Sequence, residues 1–585
     1  MLLAHESCIC KPCTGFDAMT AMLALMKTIG GIHLAALFAG IVWSSGATAS
    51  TAGATTIDQH NRPNILLIVI DDLGYTDLGS FGGEIRTPNI DNLARRGTRF
   101  TNFYVSPNCA PTRSMLLSGL DHHVSGHGTM LEHIAPNQRG KPGYEGYLNE
   151  RVRPLAEVVK DAGYNTYMLG KWHLGLTEEK SPAASGFEKS FALLLGGGSH
   201  FSDKMGLTSK FPEALYREDG VLVEELPDGF YSTDFYTDEA ISYLSNHRDP
   251  DKPFFMYLAY TAPHWPLQVP DHALDLYQGV YDEGYEELRE LRIRKARQLG
   301  ILSGPSTTSL RPPVVPQWDS LAEDLRKTQA RRMEIYASMV DLVDRNVGRV
   351  LAYVERIGEL DNTIVLVMSD NGAEGNRRFT IGGDDWVERN FDHSYEAMGR
   401  RGSYVYLGPG WAQASMGPFR LWKAHTTEGG IRAPLVIAGP GVSSPGSIEQ
   451  SVTTVRDLYP TLLDVAETKV LPSSAGHVGN GTSLLPLLAG RSDRIREVDE
   501  ILGWEIFGGR AIRAGDWKLT RVAGPNGSDQ WELFNVHLDP GETQDLADSN
   551  PERFAHMLEL WESYAEQNGV VLPEGKVHGA WGDVD

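Results

Sequence analysis

Two pairs of polar side chains directly follow apolar runs that predict strands. Asp71 and Asp72 follow NILLIVI, and Asp370 and Asn371 follow NTIVLVMS. All four supply oxygen ligands, which suit Ca²⁺ or Mg²⁺ better than zinc. One acidic pair alone would be typical of a solvated surface. Two pairs at the ends of buried strands are better explained by a shared cation that offsets their mutual repulsion.

The segment CAPTRSMLLSG places a cysteine, a proline and an arginine at the start of a predicted helix. Pro111 suits the first helical turn, so Cys109 would lie at the N-terminal end, with Arg113 about one turn later on the same side. Unpaired N–H groups and the positive end of the helix dipole favour an anion at such a point. Position 109 is therefore expected to face a cation, a guanidinium and a helix dipole together.

Further ionisable side chains follow other predicted strands. Lys171 and His173 come after NTYMLG, His264 comes after PFFMYLAY, and Lys423 lies in RLWKAHTTEGG. Because ligands of open α/β sheets bind outside the carboxyl ends of strands, we expect the groups that follow strands to meet at one edge. Lys423 taken alone could equally be a surface lysine. Together these groups give an excess of positive charge that suits a tetrahedral oxyanion.

The elements that must position these groups alternate between helix and strand. Helices are predicted over 88–96, in PLAEVVKDAG and DEAISYLSNH, and over the long periodic stretch 318–357. Such alternation favours an α/β fold with a large, mostly parallel central sheet flanked by helices. Of two long inserted stretches, 277–300 predicts a charged scaffold helix, and 374–411 predicts loops beside the pocket.

The pattern changes near residue 445. After it come a helix in TTVRDLYPTLLDVAE, strands in RAIRAGDWKLTRV and QWELFNVHLDP, and a closing amphipathic helix in PERFAHMLELWESYAEQ. Strands of this kind followed by a helix predict a small antiparallel sheet with a helix. We therefore predict a catalytic domain over 63–445 and a smaller C-terminal subdomain over 446–585.

Residues 1–49 are predicted to be a leader with a signal peptide rather than part of the fold. A basic start at Met26 precedes an apolar core over 29–43 and a small-residue cleavage site after Ala49, and 50–62 forms a linker. Met26 is accordingly the expected true start. The apolar run is short and interrupted by glycines, so no stable membrane anchor is expected. We expect export to the periplasm or, as the alternative, to the extracellular space.

Only one of the four cysteines would remain after that cleavage. Cys8, Cys10 and Cys13 precede the proposed signal, which leaves Cys109 alone in the mature chain. A single thiol in an oxidising compartment has no disulfide partner, so it is either buried and inert or has a chemical task.

The charge of the chain limits its partners. Its 585 residues carry a formal net charge of -23. Phosphate backbones need a basic surface, so nucleic acid is excluded as the partner. Binding of an oxyanion would then depend on a positively charged pocket inside an acidic protein.

Two segments resemble the signatures of the sulfatase family. CAPTRSMLLSG matches the CxPxR signature, and GYNTYMLGKWHLG matches the second signature of the family. The resemblance continues through NILLIVIDDLG, TAPHWP, MSDNGAEG, WKAHTTEGGIRAP and GWEIFGGRAIRAGDWK, and so covers nearly the whole chain from about residue 62. The sequence looks most like the bacterial-type arylsulfatases, which implies an alkaline-phosphatase-like fold and hydrolysis of small sulfate esters.

The resemblance also implies a modified nucleophile and a metal. In this family a formylglycine-generating enzyme oxidises the signature cysteine to Cα-formylglycine, and the aldehyde hydrate attacks sulfur. Cys109 would be the precursor of that residue. The resemblance further implies one Ca²⁺ ion, held by Asp71, Asp72, Asp370, Asn371 and the modified residue 109.

The remaining site residues take their expected roles from the same resemblance. Arg113 would orient the hydrate, and Lys171 would neutralise sulfate oxygens. His264 and Lys423 would lie near the leaving oxygen, with His264 as the expected proton donor. His173 would take a proton from the remaining hydroxyl, so that sulfate leaves and the aldehyde re-forms.

Two other functions fit the same residues. Related enzymes with this signature hydrolyse phosphate or phosphonate esters, whose tetrahedral group suits the same cationic pocket. If Cys109 stays a thiol, the protein could instead bind sulfate or sulfate esters without turnover. Pure binding would not need both histidines and the additional carboxylates, which favours the enzyme.

Overall fold

The structure is a computed structural model that describes residues 62–303, 307–376, 385–469, 479–497, 499–524 and 526–574. These residues belong to one compact unit, Ile57–Asp585. The predicted leader, its three cysteines and all but the last residue of the predicted linker lie outside the described residues.

The described strands form one large sheet, one hairpin and one small sheet. The large sheet contains β1 Asn64–Ile70, β2 Thr98–Tyr104, β3 Asn165–Lys171, β4 Lys189–Leu193, β7 Tyr216–Glu218, β8 Val221–Leu222, β9 Phe254–Tyr260, β10 Thr363–Ser369, β11 Arg432–Ala438, β12 Ser447–Glu449 and β13 Thr453–Thr454. The hairpin consists of β5 Met205–Thr208 and β6 Phe211–Glu213, and the small sheet of β14 Ile501–Ile506, β15 Gly509–Ala514, β16 Trp517–Arg521 and β17 Trp531–Asn535.

The middle of the large sheet is parallel. The strand order is β12-β2-β11-β10-β1-β9-β3-β4-β7-β8, and β10, β1, β9, β3 and β4 all run in one direction. Every residue of β1, β3, β9 and β10 is buried, as their continuous apolar runs predict for strands covered on both faces. The predicted α/β class with a mostly parallel sheet is confirmed.

Helices cover both faces of this sheet. They are α1 Pro88–Arg96, α2 Cys109–Ser118, α3 His122–Ser125, α4 Leu155–Asp161, α5 Ser232–Asn246, α6 Tyr285–Gln298, α7 Glu323–Arg356, α8 Trp386–Asn390, α9 Pro409–Ser415, α10 Glu428–Ile431, α11 Leu458–Val465, α12 Leu485–Leu488 and α13 Pro551–Asn568. Alternate residues of β1 face two separate cores: Leu66 and Ile68 lie in one, and Leu67 and Val69 in the other. None of the described helices is long and apolar enough to span a membrane.

The small sheet is antiparallel, and α13 packs on it. Strand β14, which sequence analysis did not anticipate, forms its first edge. Residues 446–469 were assigned to the C-terminal subdomain, yet β12 and β13 pair with β2, and α11 packs in a core of the large sheet. The boundary near residue 445 stays a prediction.

The segment after α13 is tied to a loop of the large domain. The backbone carbonyl of Val571 accepts hydrogen bonds from Gln138 Nε2 (2.7 Å) and the Tyr144 hydroxyl (3.1 Å), and the Val571 N–H donates to that hydroxyl. Asn137 Nδ2 donates to the carbonyl of Leu572. The C-terminal segment therefore fastens the loop around residues 130–144 through these hydrogen bonds.

A buried histidine joins α3 to the C-terminal sheet. His123 Nδ1 lies 2.9 Å from Asp121 Oδ1, and its Nε2 lies 3.3 Å from Glu505 Oε2 on β14. Tyr564 of α13 donates to the other oxygen of Asp121. Burial disfavours a charge on His123, but its hydrogen bonds to Asp121 and Glu505 outweigh burial and raise its pKa to about 9. His123 is thus an imidazolium between two carboxylates.

This arrangement predicts loss of stability at alkaline pH. The folded-state pKa of His123 is raised from 6.5 to about 9, so its contribution is fully present below about pH 6.5 and is lost as the pH rises through about 9. The shift corresponds to about 3 kcal/mol. The unfolding temperature measured between pH 6 and pH 10 should fall as the pH rises through about 9. This fall should be smaller in His123→Gln. His556→Gln, at an exposed position of α13, serves as the control. Equal slopes in His123→Gln and the parent would contradict the assignment.

Candidate active site

Parallel register brings the two predicted ligand pairs together. Ile70 of β1 lies beside Ser369 of β10, so the residues that follow these strands leave the sheet side by side. Ligand atoms of Asp71, Asp72, Asp370 and Cys109 all lie within 4.8 Å of one another. All of these side chains are buried.

Two oxygens of this cluster have no hydrogen-bond donor among the described residues. They are Asp71 Oδ1 and Asn371 Oδ1. Buried polar atoms without partners are rare and costly. Burial raises the pKa of Asp71 to about 7, which Lys171 only partly opposes. An all-oxygen donor set, unsatisfied oxygens and crowded carboxylates fit a hard divalent cation such as Ca²⁺.

Asp72 adopts a backbone conformation that is uncommon for a residue other than glycine. Its φ is 64°, in the left-handed region. The Asp72 N–H donates to Asp370 Oδ1 (3.3 Å), and Asp72 Oδ1 accepts from Asn371 Nδ2 (2.6 Å). These bonds join the two ligand pairs directly and hold the strained turn in place.

Cys109 is the first residue of α2, as predicted from Pro111. Its side chain is 1% exposed, and its Sγ lies 3.9 Å from Asp72 Oδ1. Burial and the carboxylate of Asp71 raise the pKa of the thiol well above its usual value. These surroundings favour the neutral thiol over the thiolate.

Arg113 lies one turn after Cys109 and is completely buried. Its Nε and Nη2 lie 2.8 and 2.7 Å from Asp370 Oδ2, and its Nη1 donates to the backbone carbonyl of Lys171 (2.7 Å). A guanidinium held at three nitrogens has a fixed orientation. Arg113 therefore ties α2 to the ends of β3 and β10.

Two lysines complete the cluster of charged side chains around Asp71, Asp72, Asp370 and Arg113, which forms the charged floor of the pocket. Lys171 Nζ lies 2.6 Å from Asp71 Oδ2, and Lys423 Nζ lies 2.8 Å from Asp72 Oδ1 and 3.3 Å from Glu374 Oε2. Although burial opposes it, Asp72 raises the pKa of Lys423 well above its usual value. Lys423 is thus a buried cation of the site and not a surface lysine.

The fixed charges of this cluster do not balance. Three cations, Arg113, Lys171 and Lys423, contact four carboxylates, those of Asp71, Asp72, Asp370 and Glu374. With every group ionised, one negative charge remains. A divalent cation would turn this into one net positive charge, which an oxyanion requires.

His264 lies over Asp72 and is held as a neutral imidazole. Its Nδ1 donates to the carbonyl of Trp265 (2.6 Å), and its Nε2 lies 3.7 Å from Asp72 Oδ2. Burial, Lys171 and Lys423 lower its pKa well below the usual value. His200 Nε2 contacts the His264 carbonyl (3.1 Å), which fixes the backbone of this histidine.

His173 lines the same pocket as Cys109 and His264. Its φ is 58°, a second strained position at the site. Its Nε2 lies 3.3 Å from Glu132 Oε2. The structure therefore brings together all ten residues that sequence analysis singled out, whereas their individual roles stay predictions.

The upper wall of the pocket is largely apolar. It is formed by Met130, Leu195, Leu207, Phe211 and Trp265, with Gly196, Gly197, Thr208 and His133 between them. Leu207 and Phe211 come from the β5–β6 hairpin. Residues 385–407 pack behind the hairpin through Val387, Phe391 and Tyr404, so the described part of the predicted loop segment does lie beside the pocket.

Two acidic residues of the site, Glu132 and Glu374, are not predicted by the sequence patterns. Glu132 lies in a short 3-10 turn, Leu131–His133, that no strand end marks. Glu374 follows the Asp370–Asn371 pair, and its position three residues after Asn371 was the available signal. Each contacts a predicted site residue: Glu132 contacts His173, and Glu374 contacts Lys423.

A family model described as sulfatase matches residues 63–468. An uncharacterized sulfatase of Schizosaccharomyces pombe is 41% identical over 540 residues, which cover 88% of this chain and 95% of that protein. An arylsulfatase of Klebsiella aerogenes is 38% identical over 417 residues, 71% of this chain and 89% of that one.

Solved structures are similar as well. The crystal structure of Ps i-CgsB in complex with k-i-k-neocarrahexaose has a TM-score of 0.63 and 26% identity, and the match covers 88% of this chain and 95% of the other. The predicted alkaline-phosphatase-like fold is thereby confirmed.

Two glycines make room for the two histidines of the pocket. A Cβ on Gly196 would lie 2.8 Å from His173 Cε1, and one on Gly197 would lie 2.8 Å from His264 Cε1. We predict that Gly196→Ala and Gly197→Ala each lower sulfate ester hydrolysis by roughly a hundredfold, because displacing a reacting group by about 1 Å costs that much. Steady-state kinetics measure the effect. Gly524→Ala, where a Cβ meets nothing within 4 Å, is the control, and unchanged rates in both pocket variants would contradict the prediction.

Proposed function

The chain belongs to the sulfatase family, and we propose that it is an exported, Ca²⁺-dependent arylsulfatase whose nucleophile is a formylglycine made from Cys109. Hydrolysis of sulfate esters follows from the family. The aryl preference, the modified residue, the ion and the export are the proposed parts.

The composition of the pocket is the observation that best supports an aryl sulfate as the substrate. The pocket combines a charged floor at Cys109, which the proposed ion would make net positive, with a wall of apolar and aromatic side chains, among them Phe211 and Trp265. A sulfate group suits the floor, and a flat apolar ring suits the wall. A sugar would leave several hydroxyl groups without partners against such a wall. The likeness to the Klebsiella aerogenes arylsulfatase points the same way.

The position of residue 109 supports its modification. Cys109 heads a helix with Pro111 and Arg113 at the signature spacing, and it lies among the groups that would bind a sulfate. Formylglycine would supply a hydrated aldehyde, whose hydroxyl is a nucleophile that a neutral thiol cannot replace. A formylglycine-generating enzyme is the partner this proposal requires.

Asp71, Asp72, Asp370, Asn371 and the oxygen of residue 109 would hold the ion. Bound there, Ca²⁺ would act as a Lewis acid that stabilises negative charge on that oxygen. The unsatisfied oxygens and the unbalanced negative charge of the cluster support its presence.

The surrounding side chains would then bind the ester and move protons. Lys171 would neutralise sulfate oxygens and Lys423 would lie near the leaving oxygen, while Arg113 keeps residue 109 and Asp370 in a fixed relation. His264 keeps Nδ1–H bonded to the Trp265 carbonyl, so Nε2 carries the lone pair of the neutral ring. Nε2 would first take up a proton from solvent, which the negative charge of an arriving sulfate ester favours, and would then pass that proton to the leaving oxygen. His173 accepts a proton during the release of sulfate.

The N-terminal leader bears on where the protein acts. The leader suggests export to the periplasm, with the extracellular space as the alternative. The substrate would be a small sulfate ester, and no nucleic acid partner is proposed.

Replacement of Cys109 is the decisive test of the nucleophile. We predict that the peptide carrying residue 109, from protein made with a formylglycine-generating enzyme, has the mass of an aldehyde and reacts with an aldehyde probe. Cys109→Ala should lower aryl sulfate hydrolysis by roughly a thousandfold or more, because it removes the nucleophile. Mass spectrometry and steady-state kinetics check the two parts. A plain thiol in fully active protein would overturn the mechanism.

A substrate panel separates this function from its alternatives. Turnover of a nitrophenyl sulfate is compared with the matching phosphate monoester, phosphate diester and phosphonate, and with a sulfated hexosamine. The aryl sulfate should give the highest kcat/KM. A higher value for a phosphorus ester would favour the phosphoester hydrolase, a higher value for the sugar would refute the aryl preference, and binding without turnover in aldehyde-containing protein would favour the binding protein.

Removal of calcium should lower both activity and stability. A ligand present at 100 times its Kd stabilises a protein by about 2.7 kcal/mol, so chelation should lower the unfolding temperature as well as kcat. Asn371→Ala, which leaves the charges of the site unchanged, should need roughly tenfold more Ca²⁺ for half-maximal activity. Calorimetry and a calcium titration provide the measurements. Identical unfolding temperatures and rates before and after chelation would contradict the ion's role.

A further inference from the structure

Glu132 and His173 form a carboxylate–imidazole pair at the edge of the pocket. His173 Nε2 lies 3.3 Å from Glu132 Oε2, and the two side chains are 6% and 16% exposed. The other ring nitrogen, His173 Nδ1, is buried and has no hydrogen-bond partner among the described residues. The pair therefore uses one nitrogen of the ring and leaves the other available.

The ring is held in this orientation from several sides. Gly196 lies so close that a Cβ there would be 3.1 Å from His173 Nε2. The positive φ of His173 sets the direction in which its side chain leaves the backbone. The 3-10 turn Leu131–His133 presents Glu132. The hydrogen bonds of Gln138 and Tyr144 to Val571 fasten the loop in which this turn lies.

The charges around the pair determine which atoms carry protons. Although burial opposes it, His173 lowers the pKa of Glu132 to about 2, so Glu132 is ionised and can only accept a hydrogen bond. Burial lowers the pKa of His127 to about 3, so this neighbouring ring is neutral. Burial, Lys171 and Arg113 lower the pKa of His173 and so keep its ring neutral, with Glu132 acting against them. A neutral ring that donates through Nε2 has its lone pair on Nδ1.

We propose that Glu132 is a positioning residue, which accepts the Nε2–H of His173 and thereby makes Nδ1 the proton-accepting atom of the pocket. This inference rests on the proposed function, in which His173 accepts a proton during the release of sulfate. Among the described residues, Glu132 is bonded to His173 and makes no hydrogen bond or ion pair with the lysines or carboxylates of the site. It acts by fixing the tautomer and the orientation of the histidine.

Glu132→Gln is the first test, because an amide can offer its own N–H to Nε2 and so reverse the tautomer. We expect kcat for an aryl sulfate to fall between about tenfold and a thousandfold. KM should fall by the same factor, so that kcat/KM is unchanged. The reason is that kcat/KM reports the steps up to cleavage of the ester bond, whereas His173 acts later. A loss in kcat/KM, or an unchanged kcat, would overturn the inference.

A second measurement does not depend on catalysis. NMR of nitrogen-labelled histidine in the Cys109→Ala protein reports the tautomer of His173 without any modified residue. We expect a protonated Nε2 and an unprotonated Nδ1, with Glu132→Gln shifting the ring towards the opposite tautomer. A protonated Nδ1 when Glu132 is intact would refute the pair.

Two further variants separate loss of the Glu132 carboxylate from a general effect of substitution. Glu132→Asp retains the charge and should restore the tautomer, and part of kcat, relative to Glu132→Gln. Glu150→Gln removes an exposed carboxylate that pairs only with Lys180 among the described residues, and should change neither measurement. If the parent protein fails to hydrolyse aryl sulfates, the proposed function fails while the NMR result still decides the pairing. If the parent is active and Glu132→Gln behaves like Glu150→Gln, the pairing fails alone.

Discussion

A set of ionised side chains buried at the carboxyl edge of the sheet is the constraint on which the rest of the site depends. Seven charged groups are buried there, and removing any one would leave its partner's charge uncompensated. The helix that begins at Cys109, the strand ends and the loop that carries Lys423 are each fixed by at least one of these ion pairs. With every group ionised they leave one negative charge, so an oxyanion would bind there only together with the proposed cation.

The two histidines occupy the boundary between this charged floor and the apolar wall. The buried cations below them disfavour a further positive charge, so both rings are neutral at rest. Each ring has one nitrogen committed to a fixed acceptor: the Trp265 carbonyl for His264 and the Glu132 carboxylate for His173. In the proposed mechanism, this division would give each histidine one nitrogen for structure and one for proton transfer.

Much of the fold and the site could be predicted because it depends on order along the chain. Continuous apolar runs predict buried parallel strands, and parallel strands bring the residues that follow them to one edge, which places Asp71 beside Asp370. Glu132 could not be predicted in this way, since it lies in a turn that only tertiary packing brings to His173. The positive φ values of Asp72 and His173 also lack a sequence signal, because even Asp and His, which tolerate this conformation better than most residues, adopt it only in a minority of cases. Strand β14 was missed although Leu502, Trp504 and Ile506 alternate along it, because Gly503 within it weakens the strand pattern.

The burial of Cys109 imposes an order of events during synthesis. With 1% of its surface exposed, the thiol is beyond the reach of another enzyme's active site once the chain has folded. The proposed oxidation must therefore act on a chain that is still open. Val571 and Leu572, which fasten the loop beside the pocket, are made more than 400 residues after Cys109. If Cys109 is modified as proposed, the long interval of translation between them would give the maturation enzyme time to act, and a chain that folded too early would keep its thiol.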